Sequence, residues 1–401
     1  MSNAFSKEER VAFEDILEGF QDALVLSRNV AVYNTDQTMM ERTNNTIWRP
    51  QPYIANSQDS TPGTPVTYQN NTQLSVPASI GYKKTVPWTM NALELRDALQ
   101  EGRLGDSAKQ KLASDINIAV MNVAAAQGTL VVTRTTAATG FDDVAQCEAI
   151  MNEQGVPSMD RYLALSTRDY NGMAANLAGR QTLQGKPLTA YEKAYVGMVA
   201  SFDTYKLDYA NRLAAAAGGT TTIDTTGSQV NYTPQATSTA VGGQINVDNR
   251  YQTITVSNSV GVAAGDCFTI DGIEAVHHIT KGDTGQLKTF RVISVPAGGT
   301  TLVISPPIIG ANSSPTDAER QYQNVEVVSV SATAPPNFLN IAASNINPFW
   351  RKDSIELLPG RYAVPDGAGV DVLRASTDQG IELVMTKKFD PLTFETLYTL
   401  D

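Results

Sequence analysis

Histidine and cysteine are almost missing from this sequence, and with them goes most of the chemistry a catalytic site draws on. Two histidines, His277 and His278, and two cysteines, Cys147 and Cys267, stand in 401 residues. Adjacent side chains of a strand point to opposite faces, so the two histidines cannot jointly hold one ion in that geometry. Cys147 and Cys267 lie far apart with no ligand spacing around them. They exclude a disulfide framework and a zinc site as readings, fit a reducing compartment, and read as small buried hydrophobes. Long apolar runs are missing too: none approaches the roughly 20 residues a bilayer crossing needs, and Met1–Arg10 is too polar for a secretory signal. Positive charge is scarce, with 30 Lys and Arg against 41 Asp and Glu, a net −11. That balance excludes a broad phosphate-binding surface, yet it suits a container that encloses nucleic acid and releases it.

The short motifs of catalysis are equally thin. Gly179 to Lys186 is the nearest approach to a phosphate loop, but five residues separate its glycines and Pro187 stands where Ser or Thr would reach magnesium. It also follows a helical pattern instead of a strand, so the context of a P-loop is absent. No Gly-x-Ser-x-Gly elbow occurs. Asp142 and Asp143 fall at a predicted helix start, where carboxylates interact favourably with the dipole. The sequence therefore gives no catalytic residue, no cofactor and no metal site.

What is present is organisation. Hydrophobic residues make up 42%, enough for a core in a chain of this length. Ser6 and Glu9 have capping-box spacing, and Phe13, Leu17, Phe20 and Leu24 recur at helical intervals, predicting an amphipathic helix with an acidic outer face of Glu8, Glu9, Glu14, Asp15, Glu18 and Asp22. From Thr43 to Trp88, Asn, Gln, Thr, Ser and Pro dominate. A loop of that length is awkward in a compact domain, and an arm ordered by packing on a neighbouring molecule explains it. Asp106 and Ser107 are candidate N-caps for a helix carrying Leu112, Ile116, Ala119, Val120 and Val123, and Gly128 is placed to end it. A strand over Thr129–Thr133 follows. Between Phe141 and Ala217 the pattern predicts a helix from Asp142, a strand over Tyr162–Leu165, a helix from Ser166 or Thr167 to Gly179, and another over Leu188–Met198.

At Ala214–Thr222 the composition shifts, and as far as Pro336 the apolar runs are short, β-branched and bounded by turn residues. Tyr251–Val256, Cys267–Ile270, Phe290–Val295, Thr301–Ile304 and Val325–Val330 read as strands of a small antiparallel barrel or sandwich, inserted into an α+β host. Trp48, Trp88 and Trp350 flank the long loop and the return from the insertion, positions suited to anchoring interfaces.

Three segments carry a resemblance: Asn44-Asn45-Thr46-Ile47-Trp48-Arg49-Pro50, Val247-Asp248-Asn249-Arg250-Tyr251, and Asn347-Pro348-Phe349-Trp350 followed by Asp353-Ser354-Ile355. In that order, with the long helix and Ser201-Phe202-Asp203 between them, they resemble the major capsid proteins of short-tailed phages of the Salmonella-phage coat type. That is the branch of the Hong Kong phage capsid fold with an insertion domain. The resemblance implies an N-terminal arm (1–44), an extended loop (45–90), a peripheral domain with a spine helix (91–132), an axial domain (133–219), an inserted antiparallel β-barrel (220–336), and a return to axial and peripheral domains (337–401). It implies a non-enzymatic subunit forming hexamers and pentamers of an icosahedral head. The partners it implies are a scaffolding protein, a portal protein and enclosed double-stranded DNA bound without sequence specificity, with no membrane. Assembly would take place in the bacterial cytoplasm, with the virion capsid as destination.

By the same resemblance Glu14, Asp15 and Glu18 match the surface near scaffolding protein. Gly242, Gly243, Asp248 and Arg250 match a loop that links neighbouring capsomers, here nearly uncharged before Asp248. The family pattern also runs on past Tyr398-Thr399-Leu400-Asp401 into at least one more strand of the peripheral domain; either the sequence is incomplete or that strand is missing, and its loss would expose a sheet edge. The alternative reading is a virion decoration or receptor-binding structural protein, favoured by the β insertion and opposed by the long helix.

Overall fold

The structure, a computed structural model, describes residues 5, 7–33, 46–55, 57, 62–63, 65–66, 68, 70–79, 81–91, 98–134, 136–138, 140–179, 196–207, 209–223, 231–310, 314–326, 334–360 and 370–401. Its first elements are α1 (Lys7–Ala23), β1 (Ala31–Val32), β2 (Thr46–Pro50), β3 (Ser75–Ser79), β4 (Val86–Asn91) and α2 (Ala98–Gln127). Next come α3 (Phe141–Glu153), β5 (Arg161–Ser166), α4 (Thr167–Ala178), β6 (Met198–Val199), β7 (Phe202–Leu207) and β8 (Arg212–Leu213). The insertion holds β9 (Thr237–Ala240), β10 (Gly243–Asn246), β11 (Gln252–Thr255), β12 (Cys267–Val276), β13 (Asp283–Ser294), β14 (Thr301–Ser305), α5 (Asp317–Tyr322) and β15 (Pro336–Phe338). The chain ends with β16 (Ser344–Asn345), β17 (Phe349–Arg351), β18 (Glu356–Leu357), β19 (Asp371–Ser376), β20 (Glu382–Asp390) and β21 (Glu395–Leu400). It divides into two compact units, one of residues 1–47, 78–122 and 351–401, the other of 48–77 and 123–350.

In the first unit, α1 buries Phe13 and Phe20 of the predicted stripe, with Leu24 just past its end, while Ile16 takes the inward place expected of Leu17, which is only partly buried. Phe13, Ile16, Phe20 and Leu24 share a core with Ala108 and Leu112 of α2 and with Leu383, Met385, Tyr398 and Leu400 of an antiparallel sheet ordered β19-β20-β21-β4. Burying those four side chains of α1 and the residue after it is worth on the order of 8 kcal/mol in gross transfer free energy, an upper bound before chain entropy. Thr396, Tyr398 and Leu400 of β21 alternate inward, as a half-buried strand requires. β21 pairs with β20 on one side and β4 on the other, so it is an inner strand of this sheet.

Helix α2 starts at Ala98, eight residues before the predicted caps. Asp106 is therefore inside the helix, where its carboxylate pairs with Lys109 one turn on, at 2.8 Å. Gly105 lets α1 approach closely: a Cβ there would stand 2.7 Å from Ile16 Cδ1, and the end of that side chain would have to shift. The helix stops where predicted, with the Gly128 N–H on Ala124 O at 3.0 Å. Thr129–Thr133, read as a strand, belongs to no sheet. Side chains take its first carbonyl instead: Thr289 Oγ1 donates to Thr129 O at 2.6 Å.

In the second unit, β5 and β7 pair in parallel, joined through α4, in a sheet ordered β17-β5-β7-β6. Val144 and Met151 of α3 and Tyr170 and Met173 of α4 pack on Leu163, Leu165 and Phe202. Ser166 caps α4, its hydroxyl accepting from Asp169 N at 3.3 Å, and Gly179 closes it. Residues 188–195 of the next predicted helix, and most of the phosphate-loop look-alike, lie outside the described residues. Met198 is strand and not helix: β6 turns into β7 through Ala200 and Ser201, both at positive φ, the backbone a two-residue hairpin demands.

The insertion is built from five antiparallel strands ordered β11-β14-β13-β12-β15. Ile254, Phe268, Ile270, Phe290, Val292, Leu302 and Ile304 fill its core. Among the described residues this sheet is open, since β11 and β15 do not pair with each other. The closed barrel is not found; β15 is only three residues and begins with Pro336, which has no N–H to offer. Of the predicted strand Val325–Val330, Val325 makes a single bridge to Ala275 and residues 327–330 lie outside the described residues. At the neck, the entering and leaving segments run side by side: Ile223 N bonds Ala334 O at 2.9 Å and Ala216 N bonds Asn340 O at 2.8 Å.

Candidate assembly surfaces

The outer face of α1 presents Glu14, Asp15 and Glu18, all exposed. Glu14 and Glu18 are one turn apart, a like-charge spacing that weakens a helix slightly and leaves its field turned toward solvent. Glu9 does not belong to that face. It is 6% exposed, and its Oε1 accepts from Lys387 Nζ at 2.5 Å and from Tyr398 OH at 2.9 Å. The carboxylate that spacing assigned to a capping box is spent on β20 and β21, and Ser6 lies outside the described residues. Glu8 and Asp22 are also side chains outside that set.

The second surface is the hairpin of β9 and β10. Val241 and Gly242 form its two-residue tip, with Gly242 at φ +112° and Gly243 at +127°, a backbone that suits glycine alone. Every residue of β10 is exposed. Asp248 and Arg250 sit at its base and satisfy each other: Arg250 Nη2 reaches Asp248 Oδ2 at 2.7 Å, and the guanidinium lies 5.0 Å from the Tyr251 ring centre. The buried residue between them, Asn249, holds the base in place. Its Oδ1 accepts from Tyr232 OH and Gln235 N, both at 3.0 Å, and its Nδ2 donates to Gln235 O and Val247 O. In the sequence Asn249 stood in a motif without a role of its own, although an amide can donate and accept at once where an ionised Asp can only accept and Arg can only donate.

The three tryptophans part company. Trp48 on β2 is 36% exposed. Trp88 is half-buried and stacks on Tyr398, ring centres 5.6 Å apart. Trp350 is 3% exposed and lies against Tyr162 at 6.0 Å. Its ring serves the interior of its own chain, so of the three Trp48 is the one left presenting a surface.

The long loop is only partly free. Its returning limb is fixed to its own chain: Thr72 N donates to Gln321 Oε1 at 3.0 Å, Gln321 Nε2 to Asn71 Oδ1 at 2.9 Å, and Leu74 N to the Tyr322 hydroxyl at 3.3 Å. Leu74 itself is buried with Ile309 and Tyr322. This corrects the expectation that the whole segment awaits a neighbour for its order. Tyr53, Val66 and Tyr68 farther out stay exposed, Tyr68 almost completely. A last apolar surface, unread in the sequence, is the β20–β21 turn. Asp390 accepts from Leu392 N at 3.0 Å and Thr393 Oγ1 at 3.2 Å, and this fixed turn presents Phe389, Leu392 and Phe394.

The residues screened for catalysis have structural surroundings. His277 accepts the Thr280 N–H at 3.2 Å through Nδ1, and burial together with Lys281, Lys288 and His277 pushes His278 down to about 4. Burial and Asp143 push the Cys147 thiol up to about 12, and burial raises Cys267 as well, so neither is a ready thiolate. Glu274, Asp283 and Glu326 bring carboxylate oxygens within 4.8 Å of one another. Asp283, by hydrogen bond and by charge, raises the Glu274 carboxyl. Strand pairing gathers them from distant positions, which no spacing in the sequence announces.

Comparison with known proteins adds the family. The family model described as P22 coat protein, gene protein 5, matches residues 1–400. Among solved structures, one titled CUS-3 coat protein I-domain is 36% identical, covering 31% of this chain and 99% of its own, at a TM-score of 0.25. One titled Mycobacterium phage Che8 is 13% identical, covering 70% of this chain and 86% of its own, at a TM-score of 0.37. A third, the asymmetric unit of bacteriophage PhiM1 mature capsid, is 9% identical, covering 79% and 84%, at a TM-score of 0.33.

Proposed function

Because this chain belongs to the P22 coat protein family, we propose that its assembly runs through hexamers and pentamers of the Hong Kong capsid type, guided by a scaffolding protein and closed around a portal. The coat protein is a structural protein of the phage capsid, and its copies assemble with one another into that shell. The single observation that carries the reading is the family match across residues 1–400. The physical features support it. Exposed apolar side chains lie on separate projections, Tyr53, Val66 and Tyr68 on the loop and Leu392 and Phe394 on a fixed turn. Several modest patches are what a closed lattice of identical copies uses, since multivalency multiplies contacts that are weak singly.

In this reading Glu14, Asp15 and Glu18 receive a basic scaffolding segment, steered by the charge of the face. The hairpin from Gly242 and Gly243 to Asp248 and Arg250 reaches a neighbouring capsomer through its apolar tip, because the two charges are already paired within the chain. Trp48 anchors the loop on the adjacent subunit. Double-stranded DNA is enclosed without sequence-specific contacts, as the net charge of −11 favours. Assembly takes place in the bacterial cytoplasm before the capsid becomes part of the virion. Negative-stain microscopy of the chain produced with its scaffolding protein tests this: closed shells are expected, and a monodisperse monomer under those conditions contradicts it.

A further inference from the structure

The insertion sheet has two buried faces, and one of them is polar. Phe268, Ile270, Phe290 and Val292 point into the insertion core. The alternate residues Cys267, Thr269, Thr289 and Arg291 face the other way, where a small domain standing alone would meet solvent. All four are buried. They are also paired across the strands, Cys267 with Arg291 and Thr269 with Thr289.

What covers this face includes the end of α2. Arg291 Nε donates to Gly128 O at 2.6 Å, and its Nη1 donates to Ala125 O at 2.6 Å and to Gly265 O at 3.4 Å. Thr289 Oγ1 continues the row onto Thr129 O at 2.6 Å. The last carbonyls of a helix have no partner within it, and the terminus carries partial negative charge. The last turn of α2 contains no basic residue of its own. A guanidinium is suited to this place, since it always carries charge and its donors are held in a rigid fork.

We propose that Arg291 is the C-terminal cap of the long helix, supplied across the fold by the insertion, so that the helix end and the insertion sheet behave as one mechanical body. Any rearrangement of the coat subunit that shifts the end of α2 must then carry the insertion with it or break two hydrogen bonds to a buried cation. The role is one of positioning. It differs from general support of the insertion core, which Phe290 and Val292 provide from the opposite face.

The test is hydrogen exchange by mass spectrometry on the full chain, comparing wild type with Arg291→Met and Arg291→Lys. Peptides over residues 121–128 report the helix end, and peptides over 252–255, 267–270 and 301–305 report the insertion core. The cap predicts that Arg291→Met lowers protection at the helix end by roughly tenfold to a hundredfold, the range of lost charge-assisted bonds, while the core strands hold theirs. Arg291→Lys should fall between. Unchanged protection at the helix end overturns the proposal, and so does an equal loss through the core, which would make Arg291 only a support of its own sheet. Should Arg291→Met fail to accumulate as folded protein, Arg291→Lys decides by the same comparison: selective loss at the helix end sustains the cap, and uniform or absent loss ends it.

Discussion

Replacing Glu9 by Gln keeps the volume of the side chain and removes its charge, leaving the Lys387 ammonium without its counter-ion. The site is nearly closed to water: Glu9 is 6% exposed and the Lys387 side chain 17%. Removing one partner of a buried pair is worth roughly 3 to 5 kcal/mol. Lys387 keeps some solvent and lies 5.9 Å and 5.8 Å from the Phe5 and Tyr398 ring centres, so the lower end, about 3 kcal/mol, is expected. At about 1.4 kcal/mol per factor of ten, that is about a hundredfold loss of amide protection in β20 and β21 at neutral pH, read by native-state hydrogen exchange. Adding Lys387→Met to Glu9→Gln should recover at least about 1 kcal/mol, because the isolated charge is then gone as well. Strict additivity of the two substitutions, or wild-type protection in Glu9→Gln alone, refutes the reasoning.

Two further outcomes follow from buried and exposed charge. Lys288 is buried, and desolvation pushes its ammonium down to about 8, so between pH 8 and its ordinary value the unfolded chain binds the extra proton and stability rises with pH. The stability of Lys288→Met relative to wild type should therefore drop by about 2 kcal/mol between pH 7 and pH 10, measured by urea unfolding; a pH-independent difference contradicts the assignment. On the acidic face of α1, Glu14→Lys combined with Glu18→Lys should leave thermal stability within about 0.5 kcal/mol, as for ordinary surface substitutions. The same variant should lower the yield of scaffold-directed particles severalfold, and an unchanged yield removes the docking role.

The helix of the arm was legible because Phe13, Phe20 and Leu24 obey one period and no tertiary contact opposes it. The start of α2 was misplaced because Asp106 and Ser107 have the chemistry of caps, while Gly102 and Gly105 look like breakers; the packing of Ile16 against Gly105 overrides both. The insertion strands were visible as β-branched runs, but their closure was not, since pairing between distant strands leaves no local periodicity. Glu9 was assigned to solvent because composition cannot tell which carboxylate of an acidic helix turns inward. Loop residues Asn71, Thr72 and Leu74 were read as waiting for a neighbour because their partners, Gln321 and Tyr322, stand about 250 positions away. Arg291 was unremarked for a related reason: in Thr289-Phe290-Arg291-Val292 the alternation looks like a sheet with one wet face, and only the fold puts the end of a helix there.

Cryo-electron microscopy of particles assembled from this chain tests the central claim most directly, because it places each projecting segment against its surroundings. The account predicts a closed shell in which Tyr53, Val66 and Tyr68 lie against another copy while Asn71–Leu74 remain on their own subunit. A shell in which that outer stretch touches nothing, or a chain that stays monomeric beside its scaffolding protein, contradicts it.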